Sequence, residues 1–121
     1  MRKLTLVLTL VLGTLVSNGQ KTIGFEKLGT PTFKVKVEGI ITITDSTLNI
    51  KSTYKGKVSE YTLKIVSRDE NTTASIYNCI GQIGTSDKHQ FSFVTSMDMG
   101  IWTMVNSFTN EKLEQYMVLS K

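Results

Sequence analysis

Two side chains suited to nucleophile or base chemistry near neutral pH occur once each in this sequence, Cys79 and His89. With Asp87 between them they spell a Cys-His-Asp set, in which a base takes the thiol proton and a carboxylate orients the base. The spacing argues against that use. Residues 75 to 93 read as a hairpin turning near Ser86, which sets Cys79 opposite about Ser92 and several residues from His89. Cys79 then reads as a small buried hydrophobe within Ser75-Ile76-Tyr77-Asn78-Cys79-Ile80. An intermolecular bridge or a reactive thiol are the sharper alternatives, since one cysteine forms no intramolecular disulfide. His89 reads as a strand-start or loop residue.

Other chemistries find little support. No Gly-x-Ser-x-Gly elbow occurs. Cys-x-x-Cys, His-x-x-x-His and EF-hand spacings are also missing, and no loop is built to cradle a phosphate. No cofactor or metal is therefore implied. Asp69-Glu70-Asn71 would hold at most a weak calcium ion and reads as a solvated turn. A carboxylate pair distant in sequence stays open, with nothing to single one out. Asn71-Thr72-Thr73 matches a glycosylation sequon that matters only in a host with that machinery. Lysines concentrate at Lys34, Lys36, Lys51, Lys55, Lys57 and Lys64. Such a face attracts anionic glycans or lipid headgroups, or is simply the solvated side of strands, where lysine discourages edge pairing. Nucleic-acid binding on a sheet needs exposed aromatics among the basic residues. Only Tyr54 and Tyr61 are available, and Tyr61 is in phase with the core pattern.

The elements that position these residues begin after a distinct leader. Arg2 and Lys3 precede an apolar run from Leu4 to Val16, followed by Ser17-Asn18-Gly19. That order is a cleavable secretory signal peptide over residues 1–19, cut after Gly19 or Gln20. The run is too short for a membrane-spanning helix, which needs about 20 apolar residues. No cysteine follows it to carry a lipid. Without Arg2 and Lys3 the formal charge falls from +4 to +2, an ordinary surface. The expected address is periplasmic or extracellular, and residues 20–121 read as one domain.

That domain reads as all-β. Alanine occurs once and proline once, at Ala74 and Pro31, while threonine, isoleucine, valine and aromatics recur with period two. Phe33, Val35 and Val37 alternate with Lys34, Lys36 and Glu38, and the strand pattern starts at about Thr32. Gly39 allows a bend before Ile41 and Ile43. Further runs follow at Leu48–Ile50, Tyr61–Ile65, Thr72–Ile80, around Phe91 and Phe93, at Ile101–Phe108 and at Leu113–Ser120, with turn residues between them. The last run would be a helix if Asn110 capped it, but its alternation favours a strand. About eight short antiparallel strands in a meander predict a small closed or partly open β-barrel, with a β-sandwich as the alternative. A transmembrane barrel is set aside, because Lys34, Lys36 and Glu38 would occupy its outer face.

From Ser75 onward the strands are apolar on both faces: Ile76 and Ile80 against Tyr77 and Cys79, Ile101 and Val105 against Trp102 and Met104. Something is expected to cover the second face. The chain's own start, Thr22 to Leu28, is the nearest candidate, and a ligand or partner is the alternative. The length and the meander resemble the lipocalin architecture. That family's Gly-x-Trp signature belongs near the first strand, whereas Gly100-Ile101-Trp102 stands near the end here, so the resemblance is architectural only. The short-turned eight-strand pattern itself leads to a monomeric, non-catalytic barrel holding a small apolar ligand or lipid, with Phe91, Phe93, Trp102 and Met104 available as its lining. The rival reading is a secreted or envelope-associated protein interaction module.

Overall fold

The computed structural model describes residues 20–71 and 73–120. The leader, residues 1–19, and the central Thr72 of the sequon lie outside the described residues. Eight strands run in order: β1 (Lys21–Gly29), β2 (Lys34–Ile43), β3 (Thr47–Tyr54), β4 (Lys57–Glu70), β5 (Ala74–Ile83), β6 (Ser86–Val94), β7 (Met99–Val105) and β8 (Lys112–Leu119). One 3-10 turn, Thr95–Met97, links β6 to β7. Each strand pairs antiparallel with the next, and β8 returns to β1, with Phe25 opposite Leu119 and Leu28 opposite Met117. The meander is thus a closed barrel. Closure leaves no open sheet edge, and each strand's inward alternate residues become the core.

The strand count agrees with the alternation, but two strands differ. β1 does not cover the later sheet; it is a stave of the barrel, with Ile23 and Phe25 buried inside. The β-structure therefore starts at Lys21, not near Thr32. Gly39 is no bend. It lies within β2 directly opposite Phe25, whose ring fills the space that a side chain at Gly39 would take. The two runs on either side of Gly39 are one strand. Phe33, expected in the core, sits in the turn before β2 and is 70% exposed.

Bulges shift the register between Phe25 and Lys27, between Ile65 and Ser67, and between Ile80 and Ile83. A bulge adds twist and coil to its strand, and three of them help eight strands curl into a barrel. The core inside contains Phe25, Ile41, Ile43, Leu48, Leu63, Tyr77, Phe91, Phe93 and Met117, each under 2% exposed. An aromatic column crosses it. Tyr77 and Phe93 lie 6.1 Å apart, Phe93 and Phe91 6.2 Å, and Phe91 and Trp102 5.2 Å, the last two pairs stacked.

One barrel end is closed by a polar clasp. The Arg68 guanidinium donates to the carbonyls of Thr44 and Asp45 in the β2–β3 turn, at 2.6 and 2.8 Å. It also lies over the Tyr77 ring, 5.6 Å from its centre, and 3.6 Å from Glu70. The Tyr77 hydroxyl donates to the Glu70 carboxylate. Burial, reinforced by Glu70, pushes the Tyr77 phenol up to about 12. The Tyr77 hydrogen bond, with help from Arg68, holds Glu70 below its ordinary value.

Candidate functional site

The residues expected to line a ligand site are all inside. Phe91 and Phe93 are fully buried, and Trp102 and Met104 are under 9% exposed. They belong to one packed cluster with Phe25, Tyr77 and Met117. None of them lines any of the four open clefts found on the described surface.

Cys79 and His89 are register partners on β5 and β6, a correction to the expected offset. The turn falls at Gly84 and Thr85, earlier than Ser86, and the bulge after Ile80 absorbs the remaining residues. Both side chains point inward and are buried. The pair is nonetheless not prepared for nucleophilic chemistry. Trp102 Nε1–H donates to His89 Nδ1 at 3.2 Å, so Nδ1 carries no proton. His89 Nε2 therefore bears the hydrogen, which it donates to the Gly81 carbonyl at 2.9 Å. Both ring nitrogens are committed, and neither engages the thiol. Burial pushes the Cys79 thiol up to about 11, away from the thiolate that chemistry requires. Asp87 points elsewhere: its carboxylate accepts from the Ser107 hydroxyl and backbone N–H. Among the described residues no cluster of His, Cys, Asp or Glu is placed to hold a metal.

The His89 arrangement has a pH consequence. Protonation of Nδ1 would set a second donor against the Trp102 N–H. Burial already lowers the His89 proton affinity, against smaller opposing contributions from Gly81, Ser86 and Asp87. The unfolded chain therefore binds the proton more readily than the folded one. Stability from this source is complete above the ordinary histidine value of about 6.5 and declines as pH falls below it. Glu70 and Asp87, both held low, titrate further down. Melting temperature is expected to fall between pH 7 and 5, and His89→Gln, which does not titrate, should flatten that limb. An unchanged slope in the variant would refute the assignment.

The largest of the four clefts, about 400 Å³, lies on the outer wall towards the β5–β6 and β7–β8 turns. Val66, Ile80 and Val105 give its apolar surface; Asn78, Gln90 and Thr103 cross it; Lys88 and Lys112 stand at its side. The register explains this grouping. Ile80 is opposite Lys88, Lys88 opposite Val105, and Val105 opposite Lys112, one row across four strands. Val66 joins from the β4 bulge and is 62% exposed. Gln90 donates to Asn78, and Asn78 to Ser67, which fixes the polar row beside it. Among the described residues the one salt bridge joins Arg68 to Glu70; neither cleft lysine is in one, although Lys88 acts on the Asp87 carboxylate through its charge. The second apolar face after Ser75 pointed to Ile80 and Val105. Val66 and the lysine pairing depend on register and had no sequence signal.

No helix among the described residues is long and apolar enough to cross a membrane. No protein-family model, curated protein or solved structure matches the chain.

Proposed function

We propose that this chain is a small exported, non-catalytic binding domain that takes a small anionic amphiphile on the outer wall of its barrel. The carrying observation is the outer cleft: exposed Val66 and Ile80 and half-buried Val105 stand beside two lysines that are in no salt bridge. Its volume of about 400 Å³ is in the range of small-molecule sites. The apolar chain of the ligand would lie on Val66, Ile80 and Val105, and its acid group between Lys88 and Lys112. The lining first expected, Phe91, Phe93, Trp102 and Met104, serves this reading as the packed support behind the wall. Export rests on the leader pattern of residues 1–19. β1 begins at Lys21, so cleavage after Gly19 or Gln20 removes no stave of the barrel.

The test is displacement of the fluorescent anion 1-anilinonaphthalene-8-sulfonate by decanoate, read on the purified protein. Decanoate is expected to compete at a single saturable site. Ile80→Asp puts a carboxylate on the apolar surface and should weaken competition by about tenfold or more, a change worth ~1.4 kcal/mol. Lys88→Gln with Lys112→Gln should weaken decanoate while sparing an uncharged alcohol of the same length. Competition indifferent to both changes would refute the site. Binding of a protein at this wall with no response to decanoate would favour an interaction module instead.

A further inference from the structure

In an antiparallel meander every odd-to-even turn falls at the same end of the barrel. Here these are the turns at 30–33, 55–56, 84–85 and 106–111. Two of them carry an exposed aromatic residue, Phe33 and Phe108, and exposed Tyr54 ends β3 at a third. Phe108 is 95% exposed, Phe33 70% and Tyr54 41%. Val58 and Leu113, also exposed, flank two of the same turns. At the other end Met97 is 65% exposed and Ile76 37%, and no aromatic ring is exposed near those turns.

These aromatics are not loose. Asn106 Oδ1 accepts from the backbone N–H of Phe108 and Thr109, Asn110 N–H closes on the Asn106 carbonyl, and Asp87 grips Ser107 twice. Phe108 is therefore held out on a braced loop. Phe33 is held in the same way: Thr30 Oγ1 accepts from its N–H, and both the Thr30 N–H and hydroxyl donate to its carbonyl. An apolar ring fixed in water at a turn tip stabilises nothing in the barrel itself.

Charge divides along the same axis. Within three residues of these four turns stand seven lysines against Asp87, Glu111 and Glu114. Within three residues of the turns at the opposite end stand Asp45, Asp69, Glu70 and Asp98 against Arg68, and the start of β1 adds Lys21, which acts on Glu70.

We propose that the barrel docks on an anionic lipid bilayer with its aromatic-tipped, lysine-rich end. Separate turn tips do not form one pocket for a protein side chain. A bilayer interface accepts each tip independently, with aromatic rings at headgroup level and lysines on the anionic phosphates. This docking does not depend on the outer cleft, although it would bring that cleft, which lies towards the same end, near the lipid surface.

The experiment is co-sedimentation of the purified protein with phosphatidylcholine vesicles and with mixed phosphatidylcholine–phosphatidylglycerol vesicles. Binding is expected to the mixed vesicles only and to weaken as salt rises. Phe33→Ser with Phe108→Ser should reduce partitioning by about tenfold or more, with melting curves unchanged because neither ring contributes to the core. Lys55→Gln and Lys57→Gln should each reduce it by about fivefold. Phe33→Ser with Phe108→Ser should leave decanoate competition intact, since neither ring lines the cleft, so the amphiphile site and the docking end fail separately. Equal binding to both vesicle types, no binding to either, or binding that survives loss of both phenylalanines would each overturn the proposal.

Discussion

Gly39→Ala is expected to destabilise the barrel by about 3 kcal/mol, the upper part of the usual range for overpacking a core, and Gly39→Val by more. A β-carbon at Gly39 would stand 2.2–2.4 Å from Phe25 Cζ, Cε2 and Cε1. The ring has nowhere to go, since Phe25 is 1% exposed within β1, between β2 and β8. The loss is a large share of the 5–15 kcal/mol that typically holds a domain together. Urea titration of the variants measures it. Phe25→Leu makes room at the same place, so Phe25→Leu with Gly39→Ala should cost less than the sum of the two single changes. Additive losses, or a Gly39→Ala variant as stable as the parent, would show that Phe25 does not depend on the bare backbone at Gly39.

Phe91→Ala should remove about 3–5 kcal/mol, the usual range for emptying a fully buried aromatic site. Phe91 has no exposure and lies against both Trp102 and Phe93, so its loss opens a space lined on two sides by rings that cannot close it. Trp102 is the sole tryptophan, and its fluorescence should report the loosened packing alongside the shifted urea midpoint. The same variant separates the two uses of the barrel interior. If the interior were a ligand site, removing the ring would change ligand affinity and leave stability nearly untouched. A loss below about 1 kcal/mol, well under the range for a packed aromatic, would return Phe91, Phe93, Trp102 and Met104 to consideration as a lining.

The functional readings place binding outside the barrel because of how its inside is used. Alternate residues of eight strands converge on a narrow interior, and a barrel of this strand number is just wide enough for side chains to fill. Here they include five aromatic rings, those of Phe25, Tyr77, Phe91, Phe93 and Trp102. The second apolar face of the late strands then has no core to join. Ile80 and Val105 stay on the outer wall, where the lysines of the neighbouring strands give the apolar surface a charged edge. The expectation that the chain's own start would cover this face does not hold, because β1 is needed to close the barrel between β2 and β8.

What the sequence determined by itself was whatever a period of two can carry. The alternation Tyr61-Leu63-Ile65 or Gln115-Met117-Leu119 marks a strand and its inward parity without reference to any partner. Eight such runs with short turns permit few architectures, so the all-β meander was legible and a barrel its leading reading, while closure rested on β1, which the alternation did not mark as a stave. Tertiary structure decided which residues stand opposite each other. Register depends on where a turn begins and whether a bulge intervenes, and a shift of a few residues there leaves the local alternation almost unchanged. That is why Cys79 proved to face His89 and not the neighbourhood of Ser92. It is also why Gly39 read as a bend: a glycine beneath an aromatic ring and a glycine in a turn look alike until Phe25 is placed across from it. The row Ile80, Lys88, Val105 and Lys112 comes from four strands, and the shared end of Phe33, Tyr54 and Phe108 from three turns. Neither grouping has a sequence period, because only the pairing of strands brings its members together.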